Sequence, residues 1–156
     1  MTNKTLISAQ EVVDLAFTTA DQIKSTSIND TKIEAAQEKF IRPAVGALYD
    51  ALIAGKYEAL VSDYIKPALA YWVKYTVIPD LSIKIGDKGA NVFTPDHAQA
   101  ATDKQRAEQR EQARDDAQSL MNKAIRHIEA NTDMFPEYDL IDVPNKGRRF
   151  YGGLVL

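Results

Sequence analysis

FIRPAVGALYDALIAGKYEALVSDYIKPALAYWVKYTVIPDLSIKIGDKG, residues Phe40 to Gly89, is the stretch whose reading decides the fold. It is dense in apolar and aromatic side chains, is punctuated by Pro43, Pro67 and Pro79, and holds no pattern typical of a catalytic site. Proline breaks a hydrogen bond in a helix interior but is welcome in a first turn. Pro43 therefore predicts the start of a short helix through Ala54, with Val45, Leu48, Leu52 and Ile53 facing inward and Gly55 stopping it. A further helix is expected from Tyr57 to Val77, bent or restarted at Pro67. It carries Leu60, Val61, Tyr64, Ile65, Leu69, Tyr71, Trp72 and Tyr75, so it is apolar over most of its circumference. Such a helix is buried on several sides, by its own domain or by a neighbour. Pro79-Asp80 closes it. Ile83 and Ile85, then the turn Gly86 to Gly89, then Val92 and Phe93 read as a short hairpin or extended loop near 81–93.

On the N-terminal side, Ser8 followed by Glu11 forms a capping box. The helix it opens carries Val12, Val13, Ala16, Phe17, Ala20 and Ile23 at helical spacing and ends at Ser25 to Ile28. Asn29 or Asp30 caps a second helix with Ile33, Ala36, Gln37, Phe40 and Ile41 on one face. On the C-terminal side a long helix is predicted over residues 95–131. Its first half, Thr102 to Asp116, is almost wholly polar; its second is amphipathic through Leu120, Met121, Ala124, Ile125 and Ile128. The second half packs on the core, and the first projects or lies along another subunit. Beyond Asn131 the periodicity is lost, and the closing apolar residues fold back or add to a partner's surface as an extra strand. The expected fold class is mainly α: a small bundle of about four to five helices with a long C-terminal helix. The expected domains are a helical unit, 1–131, and an extended C-terminal arm, 132–156. No internal repeat is read.

The 156 residues suit one domain, burying roughly 70% of the surface the unfolded chain exposes. A net charge of -3 argues against coating nucleic acid or an anionic membrane. The absence of cysteine removes disulfides and thiolate metal sites. The N-terminal MTNKTLISAQEV lacks the apolar core of a signal peptide, and no apolar run reaches the roughly 18–20 residues of a membrane span.

Candidate chemistry is sparse. His97 and His127 lack further ligands at metal spacing. Asp115 and Asp116 are adjacent and diverge on a helix, so they form no acid–base dyad. Glu137, Asp139 and Asp142 fit solubility better than a weak cation site. Ser62 and Ser119 have no positioned base, and Gly86 to Gly89 is a turn without a phosphate-binding pattern. No cofactor, no metal and no enzymatic activity are expected. Tyr64, Tyr71, Trp72 and Tyr75 are first of all core, although Tyr and Trp are also enriched at interfaces. Lys146, Arg148 and Arg149 beside Phe150 and Tyr151 form a basic cluster that suits an acidic partner or passing DNA as well as it suits solvent.

The segments FIRPAVGALYDAL, LVSDYIKPALAYWVKYTVIPDLSIKI and the closing FYGGLVL resemble a family of tailed-bacteriophage head–tail connector, or adaptor, proteins of the Bacteroidetes-phage type. The matching positions are Gln37, Phe40 to Pro43, Asp63 to Tyr75, Phe135 to Tyr138, Gly152 and Gly153. The resemblance implies a structural virion protein, made in the host bacterial cytoplasm and placed at the head–tail junction. Its partners would be copies of itself in a ring, commonly of twelve, the portal protein, the next tail or neck protein, and genomic DNA passing without sequence specificity; no membrane is implied. Partner contacts are expected from Tyr64, Tyr71, Trp72, Tyr75, Phe135 and Tyr138, and from Arg148, Arg149, Phe150, Tyr151, Leu154, Val155 and Leu156 of the arm. The alternative is a helical DNA-binding or regulatory module, with Gln105 to Arg114 posing as a recognition helix.

Overall fold

The computed structural model describes residues 5–18, 23–88 and 96–138, and the pairs 150–151 and 154–155. These residues build a mainly helical protein whose architecture follows the expected class. Helix α1 spans Ala9–Ala16. The second helix is continuous over 30–45 and consists of α2 (Asp30–Ala36), a π turn (Gln37–Ile41) and α3 (Arg42–Val45). A short α4 (Leu48–Ile53) follows. The fourth helix is continuous over 58–88: α5 (Glu58–Leu60), a second π turn (Val61–Ile65) and α6 (Lys66–Lys88). The last is α7 (Asp96–Ala130). Two-residue strands β1 (Phe150–Tyr151) and β2 (Leu154–Val155) pair antiparallel with each other, Phe150 opposite Val155.

The prolines do not break the helices where proline rules place the breaks. In a regular helix the Pro43 ring would meet the carbonyl of Lys39, and the Pro67 ring that of Asp63. Each of those carbonyls lies inside a π turn, which widens the helix by one residue just ahead of the proline. The Arg42 N–H bonds back to the Gln37 carbonyl, and the Lys66 N–H to that of Val61. The second helix thus begins at Asp30 and passes through Pro43, and the break falls at Gly46, whose φ of 57° favours glycine. Pro79 lies within α6 on its exposed face, where water can serve the carbonyl it frees.

These two sites expose a short internal repeat that the linear reading missed. Phe40-Ile41-Arg42-Pro43-Ala44-Val45 recurs as Tyr64-Ile65-Lys66-Pro67-Ala68-Leu69. Ile41 and Ile65 are both fully buried, as are Val45 and Leu69. The hairpin expected near 81–93 is corrected over 81–88, which continue α6; residues 89–93 lie outside the described ones. Short apolar runs do not separate period 2 from a helix. Extending an existing helix adds a bond per residue, whereas an isolated two-stranded hairpin is marginal.

Helix α6 is the axis of the core. Ala68, Leu69, Ala70 and Val73 are fully buried, and α1, α2 and α7 all pack on it. Two lysines of α6 brace α1 at both ends. Lys66 pairs with Glu11 at 2.5 Å, and Lys74 Nζ donates to the Ala16 carbonyl at 2.9 Å. Glu11 also completes the capping box, accepting from the Ser8 N–H at 2.9 Å. Asn29, not Asp30, caps the second helix, its side chain accepting from the Thr31 N–H at 2.8 Å. In α7, Ala113, Ala117, Met121, Ala124 and Ile128 form the buried stripe.

One polar side chain is fully enclosed by this packing. Gln37, in the first π turn, accepts from the Leu6 N–H at 2.6 Å and donates to the Tyr49 hydroxyl at 3.2 Å. It ties the N-terminal segment to α4. Replacing it with the isosteric Met leaves buried groups short of partners, so Gln37→Met lowers stability by about 2–3 kcal/mol in urea unfolding; an unchanged midpoint refutes this.

The Lys66 ammonium, and after it the Ser8 N–H, hold the Glu11 carboxyl below its ordinary value of 4.5. A depressed folded value means the contribution is present above about pH 4.5 and is lost as the pH falls through the lowered value. Glu11→Gln should cost about 0.5–1 kcal/mol at neutral pH, small because the pair is partly exposed. The gap to the unaltered chain should close on acidification; a gap independent of pH would contradict the assignment.

Candidate functional site

The aromatic side chains form two clusters, one built on Trp72 and Tyr75 of α6 and one on Tyr64 of the second π turn. In the first, Phe40 stacks on Trp72 with centroids 3.9 Å apart and planes 4° from parallel. Tyr75 meets both edge-on, at 6.3 and 6.1 Å. The Arg110 guanidinium of α7 covers the outer side of Tyr75 at 4.3 Å, a cation–π contact. Trp72 is 6% exposed, so it is a core residue of the single chain rather than a free surface. Its indole N–H is buried without an acceptor. Tyr71 is half-buried, with Lys74 Nζ 5.9 Å from its ring centre.

The second cluster roots the segment that follows α7. Tyr64 stacks on His127 at 4.2 Å and 12°, with Lys123 over its ring. His127 in turn lies 6.1 Å from Phe135, and Tyr57 meets Phe135 edge-on at 5.1 Å. Tyr57 donates from its hydroxyl to Glu137 at 2.6 Å, and Lys56 reaches the other carboxylate oxygen at 3.1 Å. The Tyr57 hydroxyl, ahead of Lys56, lowers the Glu137 carboxyl below its ordinary range. Glu137, read from sequence as a solubility residue, is therefore an anchor.

The anchoring geometry carries strain. Tyr57 has φ 58° and ψ 48°, a left-handed conformation that bulky side chains avoid, and it is the one non-glycine residue with positive φ among those described. The Tyr57 side chain is directed at Phe135 and Glu137 from this position. Phe135 and Tyr138 are 3% and 6% exposed. Phe135, Glu137 and Tyr138 thus pin the start of the expected arm to the helical unit, while 132–134 and 136 stay exposed. Of the other expected contact residues, Arg148, Arg149 and Leu156 lie outside the described residues. Phe150, Tyr151, Leu154 and Val155 form the β1–β2 pair.

No group of three or more His, Cys, Asp or Glu side chains that could hold a metal is present among the described residues. An open groove of about 350 Å³ is lined by Leu6, Leu52, Lys56, Glu58, Ser62 and Lys66. Both of its lysines are engaged, with Glu137 and Glu11. No hydrogen bond from Ser62 to a histidine is present among the described residues, and His127 is stacked on Tyr64. Among the described residues no helix is long and apolar enough to cross a membrane.

Residues 18–148 match a family of unknown function, DUF6712. The chain belongs to that family. The DUF6712 match takes in both π turns, α6, α7 and the anchored segment, and leaves out α1 and the β1–β2 pair. No curated protein and no solved structure matches the chain.

What sequence reasoning missed was the pairing of partners. Phe40 was assigned to a helix face and Tyr57 to a helix start. The lone Tyr after Gly55-Lys56 is the signal that marks the anchor, since a turn residue with a large aromatic side chain needs a partner to hold it.

Burial raises the Tyr138 hydroxyl to about 12, with the nearby Glu129 carboxylate adding to the effect. Its oxygen lies 3.3 Å from Glu129. Because the folded value is raised, this contribution is present below the unfolded value of 10 and is lost as the pH rises through about 12. Tyr49 and Tyr57 are raised as well, so ultraviolet titration of the phenolates should show a late phase from which Tyr138→Phe removes one tyrosine; no change in that phase would show that Tyr138 is not held as described.

Proposed function

We propose that this chain is a structural virion protein, a head–tail adaptor that forms a ring between the portal and the tail of a bacteriophage and extends the DNA channel. The segments Phe40 to Pro43 and Asp63 to Tyr75, on which the resemblance to connector proteins rests, are the two π-turn helices that build the core. The observation that carries the reading is the anchored root of the C-terminal segment. Phe135, Glu137 and Tyr138 are held against the Lys56–Tyr57 turn and the end of α7, which gives the residues after 138 a fixed point of departure toward a partner. The reading involves no chemical step. Ring copies, the portal and the next neck protein are its partners, and DNA passes without sequence recognition.

The distribution of charge on α7 favours this over a duplex-reading module. Glu108, Glu111 and Asp115 lie on its exposed side, while Arg106, Arg110 and Arg114 are half-buried. A recognition helix presents the opposite arrangement to phosphate.

The test is co-purification with a portal protein from the same genome, together with microscopy of intact particles. The full chain should bind portal and add density at the neck. Deleting Arg148 to Leu156 should abolish portal binding while the helical circular-dichroism signal survives. Unchanged binding would remove the arm from the interface, and a neck without the protein would end the reading.

A further inference from the structure

The first half of α7 turns arginine toward α6 where the rest of the seam is apolar. Followed backwards, the buried stripe Ala117, Met121, Ala124 and Ile128 leads through Ala113 to Arg110 and Arg106, with Arg114 at its edge. Residues three and four apart share a helix face, so this is one continuous row. Burying guanidinium groups in a seam is costly unless acceptors meet them.

The acceptors among the described residues fall short. Arg106 reaches Asp103 on its own turn at 3.1 Å. Arg114 holds Glu111 at 2.6 Å through Nη2, but its Nε stands 3.7 Å from Asp115, beyond hydrogen-bond reach. Arg110 has the Tyr75 ring and no carboxylate among the described residues. The Nε–H groups of Arg110 and Arg114 are both buried without an acceptor. The nearest described acid of α6, Asp80, is taken by Lys32 at 2.7 Å. Buried donors are nearly always paired in native proteins, so two orphans one turn apart mark a missing acceptor. The Trp72 N–H, shut beneath Phe40, is a third orphan that nothing outside the chain reaches, and it plays no part here.

The same helix carries the complement. Glu108, Glu111 and Asp115 form an exposed row on the side of the helix away from the buried stripe, also at one-turn spacing; Glu111 is held by Arg114, and Glu108 has no partner among the described residues. We infer that a second copy of this chain docks along α7, its Glu108–Asp115 row supplying carboxylates to Arg110 and Arg114. Arg110 and Arg114 are half-buried rather than enclosed, and the side chain of Arg114 keeps 28% of its surface open. A carboxylate arriving there takes the bidentate Nε/Nη edge after a small outward turn of the side chain. Donor row and acceptor row occupy different sides of one helix, so the contact is heterologous. Each copy leaves one row free for the next, and repetition closes a ring or runs on as a filament. The inference rests on the ring reading and deepens it: neighbouring copies meet through α7 rather than through the C-terminal arm.

Charge exchange tests it. The full chain is followed by analytical ultracentrifugation over rising concentration, and by microscopy of rings on purified portal. Arg110→Glu combined with Arg114→Glu should weaken self-association at least tenfold with the helical signal unchanged. Glu108→Lys, on the open face where folding is not at stake, should weaken it in the same direction. Mixing the two variants should restore a mixed assembly that neither forms alone. Association indifferent to all these changes overturns the inference while leaving the ring reading intact. Charge-dependent dimers with no portal binding and no neck density uphold the α7 contact and end the ring reading. A chain that stays monomeric both free and on portal overturns both. Loss of DNA binding instead of self-association in the arginine variant would make phosphate the occupant, and would also overturn the inference.

Discussion

A helix that contains proline must move one carbonyl out of the way, and this protein solves that problem twice in the same manner. The π turn at Gln37–Ile41 precedes Pro43, and the π turn at Val61–Ile65 precedes Pro67. Everything else in the fold depends on the helices surviving those prolines. Had Pro67 ended its helix, Leu60 and Ile65 would lie on a different rod from Leu69, Trp72 and Val73. Instead they form one axis, and α1, α2 and α7 have a single long surface on which to bury their apolar faces. The hydrophobic term that stabilises the domain is thus available only because a local backbone irregularity keeps the axis continuous.

The first irregularity also places a side chain. A π turn adds a residue to the helical circuit and shifts the direction of those that follow, and Gln37 opens this one. Its amide lies in the core between the Leu6 N–H and the Tyr49 hydroxyl. A buried amide of this kind tolerates few alternatives, because each shift of the helix strands a donor or an acceptor. The π turn, the entry to α1 and the position of α4 are therefore one coupled unit.

The parts legible in sequence were those governed by local chemistry. Ser8 and Glu11 cap as their spacing requires, Asn29 caps with its own side chain, and the stripe from Ala117 to Ile128 faces the core. The parts that were not legible turn on competition between local rules and the rest of the chain. Proline reads as a stop, and only the pairing of two similar segments, FIRPAV and YIKPAL, hints that it is not one. Leu81, Ile83 and Ile85 alternate as a strand would, yet they continue a helix already under way. The aromatic residues were ambiguous for another reason. Tyr and Trp carry the same composition signal in a core and at an interface, and only the stacking of Phe40 on Trp72 decides for the core. Of the candidate interface, that leaves the half-buried Tyr64, Tyr71 and Tyr75 at the edges of clusters, where one side of each ring is occupied by a cation or an imidazole.

The strained turn at Tyr57 and the arginine row of α7 are costs that the single chain does not recover in an obvious way. A glycine at position 57 would remove the backbone strain, and leucine at 110 would complete the seam. Natural sequences keep such departures where another requirement outweighs stability. At Tyr57 the requirement is visible within the chain, because from this left-handed backbone the side chain reaches both Glu137 and Phe135. At Arg110 and Arg114 the return is partial: the Tyr75 ring and Glu111 meet one part of each guanidinium, while the Nε donors have no acceptor among the described residues. Strain that is satisfied internally belongs to folding; strain left open points outward, to a surface that is completed by something else.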